Sequence, residues 1–265
     1  MSAAPDTTTV YEHVLATLDG STGRLTLNRP DRRNAMSLAL MEEAIAALHA
    51  FDADPACRVI VIAGSGSAFS AGHDLSEMVG RDRRFYDELF DTCTVLMQTI
   101  HQVRQPVIAR VHGIATAAGC QLVATCDLAI AAEEARFATP GVKIGLFCST
   151  PMVAVSRAVG RKRALEMLLT GAPIDAATAA DWGLVNRVVA ADQLDATVAD
   201  LAARVADSSA YTVRVGKAAF WEQIDRDEAG AYAHTREVMA ANAAAAAAQE
   251  GIGAFLAKRP AVWPE

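Results

Sequence analysis

Four consecutive β-branched residues, Val59-Ile60-Val61-Ile62, stand without a polar neighbour between them and end at Ala63-Gly64. An alternating pattern suits a strand with one wet face, whereas an unbroken apolar run bounded by Gly and Ser suits a strand buried on both faces. Such a strand needs further layers above and below it. Pro106 to Val111 and Leu128 to Ala131 read as further strands. Helical patterns separate them: one capped by Ser37 through MEEAIAALHAF, one over Arg83 to Val103 and one near Gly119 to Thr125. Earlier in the chain, Val14 to Leu18 and Arg24 to Leu27 flank a turn at Asp19 to Gly23, which predicts a hairpin. Strand and helix thus alternate roughly every 30 to 50 residues, the signature of an α/β core built from repeated ββα-like turns. The stretches Ser65 to Ala71 and Gly113 to Ala117 read as loops. From Pro151 onward the pattern is almost entirely helical, including RKRALEMLLTG closed by Gly171 and a long stretch from Asp192 to Lys258.

The 265 residues, 52% of them hydrophobic, suffice for one large domain with a substantial core. Alanine carries much of that share and aromatics only 6%, which predicts long helices and excludes a disordered or collagen-like chain. The division expected is a disordered polar tail over residues 1–9, a core over 10–200 and a C-terminal helical region over 201–265 that packs on the core and on neighbouring subunits. A net charge of −7 with scattered basic residues offers no positive face for nucleic acid. Cys57, Cys93, Cys120, Cys126 and Cys148 are odd in number and form no C-x-x-C pair, so neither a disulfide framework nor a zinc knuckle fits. Reduced thiols, no secretory or Arg-rich leader pattern and no membrane-spanning run predict a cytoplasmic protein.

Familiar motifs are absent or incomplete. Gly64-Ser65-Gly66-Ser67-Ala68-Phe69 begins like a dinucleotide fingerprint, but Phe69 replaces the third glycine. Ala68-Phe69-Ser70-Ala71-Gly72 resembles a nucleophile elbow without its first glycine. No H-E-x-x-H or Walker loop occurs and the six histidines are dispersed, so no metal site is expected. Two small-residue loops remain, SAFSAGHDL and HGIATAAGCQL, each following a buried strand. They let a ligand approach the backbone, and the second opens into a helix whose first N–H groups are unpaired. Side by side they could form an oxyanion hole; tight turns packing a core would read the same way.

Leu27-Asn28-Arg29-Pro30 through Asn34-Ala35-Met36, the block AFSAGHDL, and PVIARVHGIATAAGCQL followed by CDLAIAAEEARFATP together resemble the enoyl-CoA hydratase/isomerase (crotonase) superfamily. The likeness runs in order over nearly the whole chain. TAAGCQLVATCD and FATPGVKIGLFCST are most like its enoyl-CoA hydratase domain-containing protein three subgroup. The resemblance implies an α/β spiral of ββα repeats with a C-terminal helical trimerisation region, in trimers that often pair into hexamers. It also implies a pantetheine tunnel to an acyl-CoA thioester, with no permanently bound cofactor, since coenzyme A arrives as part of the substrate. The thioester oxygen would be held by the backbone N–H groups of His73 and Ala118. Arg32 and Arg33 would border the nucleotide, Ala35, Ala71, Gly72, Asp74 and Leu75 would line the cofactor's path, and Phe255 and Lys258 would reach it from an adjacent subunit.

The same resemblance marks a departure. Two glutamates serve the family's hydratases, and their positions here hold Gln121 and Gly141. An amide does not exchange protons near neutral pH, so ordinary hydration should be weak or absent. Among substitutes, His73 titrates near neutrality, and Cys148 could be a thiol nucleophile or acid, or inert packing. Gln121 could hold water or a substrate carboxylate. Asp74 reads as a cap or loop tie, Cys120 as core and His112 as a satisfied buried imidazole. Glu77 reads as a solvated face rather than a displaced base, and Lys143 as surface rather than a pocket cation. The expectation is an acyl-CoA enzyme that polarises a thioester. Decarboxylation of a malonyl-type thioester, hydrolysis through Cys148 or Ser149, and non-catalytic acyl-CoA binding are the alternatives.

Overall fold

The side chains of the segment Val59–Gly64 enter two different cores. Ile60 and Ile62 pack with Leu25, Leu40, Leu48, Leu96 and Ile100, whereas Val59 and Val61 pack with Ile108, Ile130, Leu194 and Val198. None of these four residues of the segment is more than 1% exposed. The unbroken apolar run is therefore the sequence form of a strand held between two layers.

The computed structural model describes residues 7–264. Its strands, in chain order, are β1 (Thr7–Val10), β2 (Val14–Asp19), β3 (Thr22–Leu27), β4 (Val59–Gly64), β5 (Ala68–Ser70), β6 (Val107–Val111), β7 (Ile114–Thr116), β8 (Leu128–Ala132), β9 (Arg136–Ala138), β10 (Ile174–Asp175) and β11 (Arg187–Val189). The helices are α1 (Leu38–Ala53), α2 (Leu75–Met78), α3 (Arg83–Gln102), α4 (Ala118–Thr125), α5 (Pro151–Val159), α6 (Arg161–Thr170), α7 (Ala176–Trp182), α8 (Leu194–Ala206), α9 (Ala210–Gln223), α10 (Glu228–Ala244) and α11 (Ala246–Leu256).

A larger sheet has the order β1-β2-β3-β4-β6-β8-β11 and a smaller one β10-β9-β7-β5. β4, β6 and β8 run parallel in the larger sheet, and after each the chain crosses directly into a strand of the smaller sheet, β5, β7 or β9, before turning helical. That is the expected ββα repeat. The hairpin of β2 and β3 is present, with Asp19 opposite Thr22, and β3 also pairs in parallel with β4.

Helix starts follow side-chain chemistry. Ser37 accepts the Leu40 N–H, Asp82 that of Phe85, Asp175 that of Thr178 and Ser209 that of Thr212. Leu89, Cys93, Leu96 and Ile100 recur at helical spacing on α3 and are buried.

Several expectations are corrected. The segments read as loops at Ser65 to Ala71 and Gly113 to Ala117 contain β5 and β7, three residues each, too short to display an alternating pattern. Two further strands, β10 and β11, lie inside the stretch read as helical, and β11 completes the edge of the larger sheet beside β8. The polar tail does not extend to residue 9, because Thr7–Val10 pairs with β2; residues 1–6 lie outside the described residues. The boundary at residue 200 cuts through α8, whose Leu194, Val198 and Ala202 belong to the second core.

Beyond α8 the packing changes. Neither α9 nor α10 contains a buried residue. α9 is anchored by Lys217, whose Nζ lies 2.8 Å from Asp127 Oδ2 and donates to the carbonyls of Ile100 and Gln105. Trp221 Nε1 donates to the other oxygen of Asp127 at 2.7 Å, and the His101 ring stacks on Trp221 at 3.6 Å. None of the described helices is long and apolar enough to cross a membrane.

Removing one member of this buried pair leaves an uncompensated charge. Lys217→Met should lower stability by about 3 kcal/mol in urea denaturation followed by circular dichroism. A loss under about 1 kcal/mol would show that the pair does not hold α9 to the core.

Candidate active site

The segment after β5 runs beside the start of α4, and a parallel bridge between Met36 and His73 fixes its backbone. The Met36 N–H donates to the Gly72 carbonyl at 2.8 Å, and the Asp74 N–H donates to the Met36 carbonyl at 3.1 Å. Because alternate residues of a strand turn their polar groups to opposite sides, the N–H of His73 faces away from this bridge. Ala118 is the first residue of α4, so its N–H has no acceptor within the helix. Among the described residues neither of these two N–H groups donates to a backbone carbonyl. The two segments touch: a Cβ built on Gly72 would lie 2.8 Å from the Ala117 Cβ and 3.2 Å from the Ala118 nitrogen. Only glycine fits there, at a φ of +88°.

Side chains that the sequence reading passed over hold this geometry. Asn34 is fully buried and, at a φ of 53°, in the left-handed region that asparagine tolerates. Its amide donates to the carbonyls of Ser65 and Ala68, both at 2.8 Å, and accepts the Arg29 N–H at 2.9 Å. Ser70 Oγ donates to the Asn34 carbonyl at 2.9 Å, and Thr116 Oγ1 to the Ala71 carbonyl at 3.0 Å. Arg29 pairs with Asp74 at 2.9 Å and donates to the Ala35 carbonyl at 2.7 Å. The one available signal was that Arg29 and Asn34 lie inside the block carrying the family likeness.

Asp74 caps α2 by accepting from Ser76. Burial works to raise its carboxyl, but the bonds from Ser76 and Arg29 outweigh that and hold it below the ordinary carboxylate range. Its oxygens are thus engaged within the protein. Glu77 is not a solvated face: its Oε2 accepts the Leu38 N–H at 3.1 Å, at the start of α1. His112 is not fully satisfied, since Nε2 bonds the Gly66 carbonyl at 3.0 Å and Nδ1 has no partner.

Beside the two N–H groups lies a cavity of about 570 Å³. Ala71, His73, Leu75, Phe90, Ala117 and Ala118 form one wall, and residues from Pro140 to Pro151 form the other. No carboxylate lines it, and Lys143 is its one charged side chain among the described residues. Leu75, Ile144, Leu146 and Phe147 line it and are also partly exposed, by 38–61%, so the mouth is apolar. A larger cavity of about 690 Å³ lies between residues 54–58 and the C-terminal Trp263, and neither small-residue loop lines it.

The two positions at which the resemblance implies glutamates differ in kind. Gln121 is 5% exposed, does not line the cavity, and has Oε1 4.0 Å from Cys93 Sγ. Gly141 does line it, but a Cβ there would sit 1.9 Å from the Leu146 carbonyl oxygen and 2.9 Å from Cys148 Sγ. The space a side chain would need is filled by the protein's own backbone, because the Leu146 N–H bonds the Gly141 carbonyl and closes the loop.

The His73 ring meets Phe90 edge-on at 5.4 Å, and both ring nitrogens are buried without a hydrogen-bond partner. Burial drives the imidazole down to about 4, which the nearby Met36 carbonyl only partly offsets, so the ring is neutral at pH 7. Cys148 lines the cavity, 7% exposed, and burial raises its thiol. All five cysteines are free and buried.

Arg32 and Arg33 are exposed beside the site, and the Arg33 carbonyl accepts the Ala71 N–H at 3.0 Å. Ala35 is buried, whereas Phe255, 82% exposed, and Lys258 lie at the end of α11 and do not line the cavity.

The enoyl-CoA hydratase/isomerase family model matches residues 18–265. The chain is 47% identical over 244 residues to the Xenopus laevis protein named "Enoyl-CoA hydratase domain-containing protein 3, mitochondrial", covering 91% of this chain and 82% of that one. Among solved structures, an enoyl-CoA hydratase of Mycobacterium smegmatis superposes with a TM-score of 0.93 at 47% identity, covering 96% of this chain and 99% of the other. Human enoyl-CoA hydratase domain-containing protein 3 gives 0.93 at 43%, covering 95% and 100%. These relatives correct the cytoplasmic expectation: the Xenopus protein is named as mitochondrial. Reduced cysteines mark a reducing compartment and do not choose between one and another.

The neutral His73 has a consequence for stability. Its folded value lies below the ordinary one of 6.5, so the unfolded chain binds the proton more readily. Stability should be full above about pH 6.5 and fall toward pH 4, by roughly 3 kcal/mol from this group. His73→Phe should flatten that part of the pH–stability curve measured by denaturant titration; an unchanged slope would show that another group causes it.

Proposed function

Because the chain belongs to the enoyl-CoA hydratase/isomerase family, we propose that it binds an acyl-CoA thioester and polarises the carbonyl through the N–H groups of His73 and Ala118. The observation that carries this reading is the pair of uncommitted backbone donors meeting at one wall of an apolar cavity. Donors fixed in advance need no reorganisation when negative charge develops on the thioester oxygen, and losing one such donor typically costs roughly 10²- to 10³-fold in rate. The positive end of α4 acts in the same sense.

Coenzyme A serves as part of the substrate. Arg32 and Arg33 would meet its phosphates, with Ala71, Gly72 and Leu75 along its path and the backbone of Ala35 and Asp74 shaping the loop. Phe255 and Lys258 would reach it from a neighbouring copy. A trimer, or a pair of trimers, is the assembly that would supply them. It is supported by Phe220, Ile224, Tyr232, Met239, Phe255 and Leu256, which expose 47–82% of their surface on or beside the C-terminal helices.

Hydration of a double bond needs one group to activate water and another to protonate the α-carbon. Gln121 cannot exchange protons, and Gly141 has no room for a side chain, so ordinary hydratase activity is expected to be weak or absent. A second reading, decarboxylation of a malonyl-type thioester, is favoured by a cavity with Lys143 and no carboxylate. Loss of carbon dioxide yields the same enolate without a general base, and no fixed negative charge repels the substrate.

Crotonyl-CoA should therefore bind, by isothermal titration, yet hydrate at least about 10²-fold more slowly than with a relative carrying both glutamates. Restoring them as Gln121→Glu with Gly141→Glu should not raise the rate, because a side chain at 141 displaces the Leu146 carbonyl. Efficient hydration by the unaltered protein would overturn this reading, and absence of any thioester binding would remove the acyl-CoA assignment itself.

A further inference from the structure

A thioester held by the two N–H groups becomes acidic at its α-carbon, and the cavity offers few groups to move that proton. Of the side chains lining it, His73 keeps both ring nitrogens buried beneath the surface, and Lys143 and Ser149 are exposed toward its mouth. Cys148 is different. It is nine-tenths buried, lines the cavity and precedes α5, which packs on α4. Its neighbour across that contact is Cys120, in the first turn of α4, only two residues beyond the Ala118 donor. Sulfur and donor thus line the same cavity from its two walls. Cys148 Sγ also lies 2.9 Å from the point where a side chain at position 141 would begin. The thiol, with the Leu146 carbonyl, occupies the volume that Gly141 leaves open.

We propose that Cys148 is the group that gives a proton to, and takes it from, the α-carbon of the bound thioester. This rests on the acyl-CoA reading above. In the forward sense the enolate carbon takes hydrogen from the S–H: a C–H bond forms, the S–H bond breaks, and the electron pair stays on sulfur as thiolate. The pair that had been delocalised on the thioester oxygen becomes the new C–H bond. In reverse, the thiolate removes the α-hydrogen and the two N–H groups receive the charge. Water then exchanges the sulfur-bound hydrogen, so no oxidant or reductant is needed. Burial keeps the group as a thiol at neutral pH, eased by the Gly141 backbone beside the sulfur, which suits an acid rather than a nucleophile.

The test uses the full-length protein with butyryl-CoA in heavy water, following deuterium at the α-carbon by mass spectrometry from pH 6 to 10, with thioester affinity measured in parallel. Exchange should rise with pH across the alkaline range as thiolate forms. Cys148→Ala should lower it by about 10²-fold with affinity changed by less than about threefold. Cys120→Ala, the neighbouring buried thiol, should leave it unchanged. Exchange that survives in Cys148→Ala, or binding without exchange in the unaltered protein, would overturn the proposal. Absence of binding in the unaltered protein would overturn the acyl-CoA reading instead. If Cys148→Ala does not fold, alkylation of the unaltered protein by iodoacetamide decides the matter. Carbamidomethylation of Cys148, located by peptide mapping and slowed by butyryl-CoA, should abolish exchange; retention of exchange would overturn the proposal.

Discussion

The bridge between Met36 and His73 is the contact on which the site depends. It holds an irregular segment after β5 as if it were a strand, so that the Gly72 carbonyl and the Asp74 N–H are used up and the His73 N–H is left facing away from the bridge. A backbone donor left free at a packed surface is unfavourable unless something is to occupy it. The cost is carried by a dense set of side-chain ties: Asn34 to two carbonyls, Ser70 to Asn34, Thr116 to Ala71 and Arg29 to Asp74. All but the last of these bonds hold backbone, and the last joins two side chains. The site is accordingly a property of main-chain geometry, with its side chains serving as fasteners.

Electrostatics follow from the same arrangement. The cavity holds two free N–H groups, the positive end of a helix and Lys143 at its rim, with no carboxylate in its lining. A low-dielectric wall of Ala, Leu, Ile and Phe strengthens each of these toward a developing anion. The neutral His73, its ring nitrogens buried, adds no charge of its own. On the function proposed above, such a surface would stabilise negative charge on a substrate oxygen and have little means of activating water.

Much of the fold was legible because its long strands and helices carry strong periodicity. Val59 to Ile62 declared a doubly buried strand, and Ser37 declared the start of α1. The three-residue strands β5, β7 and β9 were not legible, because their pairing depends on partners far away in sequence and not on local pattern. In the site, the small-residue loops pointed to close backbone approach, and the structure brings Gly72 and Ala118 together. Glu77 was misread because its partner, the Leu38 N–H, is 39 residues away. Asn34 was passed over as a fastener because its amide joins its own segment to residues 65–68, more than 30 residues away, which only folding brings together.

Gly141 shows why the identity of a residue and the state of its position are separate facts. Read as a letter, glycine says only that no side chain stands there. In the structure, the Leu146 carbonyl and Cys148 sulfur stand where a side chain would go, and a hydrogen bond from the Leu146 N–H to the Gly141 carbonyl closes the turn. A loop closed in this way cannot accept glutamate without breaking that bond and moving Cys148 from the cavity wall. Gln121, by contrast, sits on a regular helix with its amide against Cys93 and leaves the backbone undisturbed. The two positions therefore differ physically: Gln121 occupies an ordinary side-chain site on a helix, and Gly141 lies in a cavity wall built from backbone and a thiol.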